Sequence, residues 1–219
     1  MEELELSPAA GFVEPALSTE FPGLRLDWMT VNARLRESPP EIKQRLSALS
    51  NRYRGASVVA MRTKPIPHAY RSFFRHVGLD PDAERIPSER IAVARLLQGQ
   101  FRSQNLVADA TLIALIETGV PVWTLDAGLL DAGGLGIRSS AEGDTLGSGE
   151  YADHLAPGRL VVADARHVHA LLFGNIARGH EVTARTTSIA LFAIGVQGVP
   201  AIHIEEALWL CAEALTMYR

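Results

Sequence analysis

Asp109 stands where the sequence offers it little water. It lies inside a run built from Leu106, Val107, Ala110, Leu112, Ile113, Ala114, Leu115 and Ile116. A carboxylate buried among such neighbours without a partner is strongly unfavourable, so Asp109 must have one. Two roles are open to it: a structural acid that clamps a neighbouring loop, or the acid of a pocket. A first-turn position, where exposed helix N–H groups favour an anion, suits both. His167 and His169 are two residues apart on an expected strand end and share a face, with Asp164 close by. No third well-placed histidine or cysteine accompanies them, and no metal is expected. His180 lies in a loop with Gly174, Asn175 and Gly179, a composition that brings backbone N–H groups close to a ligand and makes His180 a candidate proton carrier. Arg185-Thr186-Thr187-Ser188 places hydroxyls at a strand entrance, where they can hold a ligand's polar head or cap the strand. Gly147-Ser148-Gly149 lacks the spacing and the following helix of a nucleophile elbow, and no preceding strand makes it a dinucleotide fingerprint. It reads as a turn. With no phosphate-binding loop either, no cofactor is expected.

The elements that must position these groups follow from pattern. The spacing predicts a fully covered helix from Leu106, stopped by Gly119, which accepts a left-handed conformation, and by Pro121. A strand then ends at Asp126. Upstream, 24–31 alternates as a strand. Ser38 caps a helix that opens at Pro39-Pro40, with Ile42, Leu46, Leu49 and Tyr53 on its apolar stripe and Gly55 at its end. Arg45, Arg52 and Arg54 lie off that stripe. Lys64-Pro65-Ile66-Pro67 reads as a loop, 68–77 as an amphipathic helix, and Ser88 as the cap of a further helix closed by Gly99. After Asp126 the chain turns to short β-prone runs at 135–138, 159–163, 168–173 and 188–196, divided by Gly and Asp, before a closing helix at 205–218. Helices crowd the first half and strands the second. That order belongs to an α+β fold with helices packed on a largely antiparallel sheet.

Composition sets outer bounds. Of 219 residues, 47% are hydrophobic and 21% charged, which is ordinary for a globular chain and enough for a sizeable core. A single domain over 1–219 is expected, with 1–20 loosely held. No apolar run is long enough for a transmembrane helix, the acidic N-terminus lacks the basic start of a secretory signal, and a lone cysteine fits the cytoplasm. Net charge is −4, yet residues 25–75 hold eleven Lys/Arg against three Asp/Glu. Such asymmetry suggests a basic face able to meet phosphate.

Several of these stretches, taken in order, resemble a known domain. The order is Pro87-Ser88-Glu89, Leu96-Leu97-x-Gly99, Asn105-x-Val107-x-Asp109, Gly119-x-Pro121 to Asp126, Gly136-Ile137 with the Gly143 turn, Val161-Val162-Ala163-Asp164, and a late strand entered at Thr186. It resembles the B3/B4 domain of the bacterial phenylalanyl-tRNA synthetase β subunit over roughly 70–196. That domain carries an editing site that hydrolyses tyrosine wrongly esterified to tRNA. The resemblance implies that the family's Val-Asp-x-Thr-Asn segment falls on Ala108-Asp109-Ala110-Thr111-Leu112. The asparagine has become Leu112, the pocket histidine falls on Trp123 and the pocket glutamate on Phe192. The glycine-rich pocket loop is kept in part at 174–179.

The resemblance implies a freestanding editing domain that hydrolyses a mischarged aminoacyl-tRNA in trans. Asp109, Thr111 and His180 are its candidate catalytic residues. Asn105, Leu112, Trp123, Gly174, Asn175, Thr186 and Phe192 are its candidate substrate contacts, and Arg45, Arg52 and Arg54 its contacts to RNA. Leu112, Trp123 and Phe192 all run toward an apolar wall, so a small or medium apolar side chain is expected in place of tyrosine. The alternative is a non-catalytic module of the same fold that binds tRNA or an amino acid.

Overall fold

The computed structural model describes residues 7–53, 55–147 and 149–217. Short strands β1 (Ala9–Ala10) and β2 (Phe12–Val13) lead into α1 (Pro15–Glu20) and β3 (Arg25–Val31). Then come α2 (Pro40–Arg52), α3 (Gly55–Met61), α4 (Pro65–His76) and α5 (Pro87–Gln98). The apolar run forms α6 (Leu106–Thr118) and continues into β4 (Val122–Asp126). Next are β5 (Gly136–Ser139), β6 (Thr145–Leu146), β7 (Asp153–His154), β8 (Leu160–Ala163), β9 (Val168–Leu171) and β10 (Ile189–Gly195), and α7 (Ala201–Thr216) closes the described chain.

The fold is α+β, as the pattern implies, but with two sheets. One runs β1-β3-β10-β4 and is antiparallel throughout. Every residue of β10 is buried, as its unbroken apolar sequence requires of a central strand. The second runs β2-β5-β8-β9-β6-β7 and is mixed, since β2 pairs with β5 and β6 with β9 in parallel. Helix α7 packs on β10 and β3, and α6 packs on α7. An added Cβ at Gly195 would meet Ile204 at 2.3 Å, so glycine is what lets α7 lie this close to β10. One apolar cluster draws on residues from Leu17 to Leu215, in both halves of the chain.

Helix α6 is built as its sequence dictates. The Asn105 side chain accepts a hydrogen bond from the Ala108 N–H at 2.9 Å, capping the first turn. Gly119, at φ 79°, receives the last turn and donates to the Leu115 carbonyl. Other boundaries differ from expectation. Ser38 does not cap α2: Pro39 holds that position without a side-chain cap, and Ser38 turns inward to Asp109. Lys64-Pro65-Ile66-Pro67 is no loop but leads into the first turn of α4, where a missing N–H costs nothing because those N–H groups have no helical partner. Helix α3 begins at Gly55, where α2 was expected to end. Ser88 lies inside α5, one residue past Pro87, and Ile86 takes the cap position.

Candidate functional site

One face of α6, the start of β4 and one face of α5 enclose a cleft of about 340 Å³, within the roughly 300–1,000 Å³ usual for small-ligand sites. Leu112, Leu115, Val122 and Trp123 form its apolar wall, Ile91, Ala94 and Phe101 face them, and Thr111 supplies a hydroxyl. Arg90, Arg95 and Arg102 add positive charge. Arg95 is tied to Ser50, whereas the side chains of Arg90 and Arg102 make no hydrogen bond or ion pair among the described residues. The fold thus brings Asp109, Thr111, Leu112 and Trp123 to one place, as the sequence implied. The α5 wall and Phe101 were not foreseen, because helical pattern shows which face is apolar and not what that face looks across at.

Asp109 is 1% exposed and fully engaged. Ser38 and Ser103 donate to its Oδ2 at 2.6 and 2.5 Å, and the Gln104 N–H donates to Oδ1 at 3.0 Å. The Leu106 N–H meanwhile donates to the Arg36 carbonyl. The acid thus fastens the entry of α6 to the segment before α2. Of the two roles open to it, the geometry gives it the clamp.

Phe192 does not line the cleft. It is 1% exposed and lies behind Trp123, ring stacked on ring at 5.6 Å and 13°, from the directly opposed position on β10. Phe173 meets Trp123 edge-on at 5.7 Å. It was expected in a strand but follows β9 at φ 57°, a conformation unusual for a bulky residue. Rings of Tyr70, Phe73 and Phe74 surround it and hold it there. Phe173, Pro87, Arg90 and Ala94 also border a second cavity of about 450 Å³ beside the first. Helix α5, the shared wall, is anchored by the buried Arg71, whose Nη1 donates to both Glu89 oxygens at 2.9 Å while Nη2 reaches Asp82 at 2.8 Å.

The remaining expected site residues lie away from the cleft lining. Asn105 is a helix cap. Gly174 and Asn175 close a turn onto Leu171, with the Gly174 N–H donating to the Leu171 carbonyl and the Leu171 N–H to Asn175. Thr186 donates to Asp126 Oδ2 at 2.6 Å and accepts from the Thr183 N–H, so its hydroxyl serves its own loop. His180 is buried with its Nδ1 3.0 Å from Nδ1 of His169, and His169 Nε2 lies 2.8 Å from Asp164 Oδ2. His169 is the extra residue of a β-bulge, since Val162 and Ala163 of β8 pair with Ala170 and Val168 on either side of it. Burial holds both imidazoles below their ordinary pKa, and the neighbouring His169 acts in the same direction on His180. Burial would raise Asp164. The N–H groups of Asp131, Arg166 and His167 and the His169 ring outweigh it and hold the acid well below the carboxylate range. Among the described residues, no cluster of three His, Cys, Asp or Glu is placed to hold a metal.

The basic segment is neutralised in part in space. Arg45 makes a two-pronged contact with Glu117, Arg25 pairs with Asp27, Lys43 with Glu37, and Arg62 and Arg71 with Asp82 and Glu89. Arg52 is exposed at the end of α2, and Arg54 lies outside the described residues. No helix among the described residues is long and apolar enough to cross a membrane.

An α+β fold whose central acid-bearing helix lines a cleft agrees with the sequence comparisons. The chain belongs to the B3/4 domain family, which matches residues 69–212. It is 34% identical over 106 residues to the phenylalanine–tRNA ligase beta subunit of Cutibacterium acnes, a stretch covering 48% of this chain and 12% of that protein. Identity to the phenylalanine–tRNA ligase beta subunit of Chlorobaculum tepidum is also 34%, over 109 residues, 49% of this chain and 13% of the relative. The match thus spans only about an eighth of the relatives' length.

Proposed function

We propose that this chain acts in trans on aminoacyl-tRNA, holding a mischarged aminoacyl ester in the cleft between α5, α6 and β4 and hydrolysing it. The observation that carries the reading is the convergence of Thr111, Leu112 and Trp123 on one cleft, in a chain of the B3/4 family. The amino-acid side chain lies against Leu112, Leu115, Val122 and Trp123, and the preferred substrate is apolar. Each methylene buried there contributes about 0.8 kcal/mol, several-fold in selectivity. The Thr111 hydroxyl donates to the Ala108 carbonyl at 3.0 Å, which leaves its lone pairs to accept from the substrate's amino group. Asp109 positions this turn instead of entering the chemistry. Arg90 and Arg102 face the charge that develops on the carbonyl oxygen. The attacking water is assisted by the ribose hydroxyl beside the ester, because no unengaged carboxylate or imidazole lines the cleft among the described residues.

That same lack favours one other reading, a module that binds an aminoacyl end without cleaving it. Relative kcat/KM on tyrosyl-, valyl-, isoleucyl- and alanyl-tRNA decides. The proposal expects the apolar esters to exceed the tyrosyl ester, and Trp123→Ala to shift preference toward bulkier side chains while keeping turnover. Clear preference for the tyrosyl ester would sink the apolar-wall argument. Binding with no hydrolysis of any of the four establishes the module.

A further inference from the structure

The cleft leaves unused a connected set of buried polar groups, Asp164, His169 and His180. Hydrogen bonding fixes where their protons sit. Asp164 accepts at Oδ1 from the N–H groups of Arg166 and His167, and at Oδ2 from the Asp131 N–H and His169 Nε2. An ionised carboxylate only accepts, so His169 carries its proton on Nε2. A neutral His169 is then bare at Nδ1 and accepts from His180. His180 in turn carries its proton on Nδ1 and has a lone pair on Nε2. Among the described residues, the only buried side-chain N or O atoms without a partner are Asp27 Oδ2 and Ser88 Oγ. His180 Nε2 is not one of them and makes no hydrogen bond among the described residues, so part of this atom meets solvent although the residue as a whole is only 6% exposed.

We propose that His180 is the general base of a second hydrolytic centre, held by Asp164 and His169 with its Nε2 lone pair toward solvent, and that this centre cleaves carboxylic esters presented at the surface. As the oxygen of a water molecule bonds to the ester carbonyl carbon, Nε2 takes one of its protons. Collapse of the tetrahedral adduct breaks the bond to the alkoxy oxygen, and the proton passes from Nε2 to that oxygen, giving acid and alcohol and restoring His180. While His180 holds the proton, its Nδ1–H still donates to His169, whose Nε2–H donates to Asp164. The positive charge is thus connected to a buried anion, the arrangement that orients a catalytic imidazole. His167 faces the pair, its ring 6.2 Å from each and perpendicular to that of His180. His167 and His169 oppose a charge on His180, whereas Glu181 and Asp164 favour it. His169 and Asp164 are positioning residues, and the centre does not depend on the cleft reading.

The test uses the whole chain. At neutral pH, two-bond ¹H–¹⁵N correlation of the imidazoles is expected to show Nε2–H on His169 and Nδ1–H with a bare Nε2 on His180. The probe ester p-nitrophenyl acetate is expected to be hydrolysed faster than by free imidazole at the same concentration, with a rate that rises through one inflection below about pH 6.5 and then levels. His180→Gln should lower that rate by at least about tenfold with melting temperature retained. His169→Gln should move the inflection as well as the rate. An Nε2–H tautomer at His180 overturns the proposal, and so does hydrolysis no faster than by imidazole. If His180→Gln unfolds, carbethoxylation mapped by mass spectrometry in a His167→Gln background replaces it. An adduct on His180 that grows in step with loss of activity supports the base, and loss without that adduct overturns it.

Discussion

The cleft and the histidine relay are built on opposite principles. In the cleft the walls are apolar, and its one acid, Asp109, is turned into a fastener by two serines and a backbone N–H. What the cleft offers a ligand is shape, with positive charge at Arg90 and Arg102. In the relay, polar groups are buried together, and each hydrogen bond fixes the direction of the next. What it offers is a proton acceptor. A buried acid serves structure where its partners are mobile hydroxyls, and directs protons where its partner is a ring with two distinguishable nitrogens.

The largest expected effect tests whether the two regions share one cooperative unit. Separate chains of residues 1–126 and 127–219 should each fail to show a cooperative unfolding transition. β10 lies between β3 and β4, so the cut leaves a central strand without either neighbour. A cooperative melt from either piece would make the regions independent.

Deleting the acid in each region comes next. Asp164→Ala strands the His169 ring N–H and three backbone N–H groups, and should cost about 4–5 kcal/mol. Asp109→Ala should cost about 2–3 kcal/mol, since the Ser38 and Ser103 hydroxyls can rotate to other acceptors. Denaturant midpoints at unchanged slope measure both. Equal losses would erase the distinction drawn between them.

Acid should act on the relay before the cleft. The folded pKa values of His169 and His180 lie below the unfolded value of about 6.5, so the unfolded state binds more protons as pH falls through that value. Their contribution is complete above about pH 6.5 and is lost progressively below it. Asp164, also depressed, adds a second loss below about pH 4. Melting temperature against pH should therefore decline in two stages, and His169→Gln should weaken the first. A flat profile between pH 7 and 5 would count against buried neutral imidazoles.

The smallest effect belongs to the surface. Arg45→Ala removes a partly exposed ion pair with Glu117 and should cost less than about 1 kcal/mol. If the basic segment meets tRNA, charge reversal at Arg45, Arg52 and Arg54 should weaken binding without unfolding. The log–log salt slope should also become shallower by roughly 0.7–0.9 for each phosphate that is no longer neutralised. Unchanged affinity would leave these arginines with a structural role alone.

What the sequence determined was local. Asn105 and Gly119 bracket α6 because a cap and a left-handed glycine act on neighbouring backbone, and the apolar run between them required burial wherever it lay. The same run required a partner for Asp109, and placed Thr111 and Leu112 in the turn that meets the cleft. Two partners of Asp109, Ser103 and the Gln104 N–H, lie just upstream; only the tertiary structure brought the third, Ser38, from 71 residues away. It also decided that Glu117, Asp82 and Glu89 would answer part of the basic segment, because a charge excess along the chain is reduced in space where distant carboxylates fold against it. His180 read as a loop residue beside glycines. The bulge at His169 and the turn that returns residue 180 to it made the two rings neighbours, and no local propensity encodes a contact between side chains carried on different strands and loops.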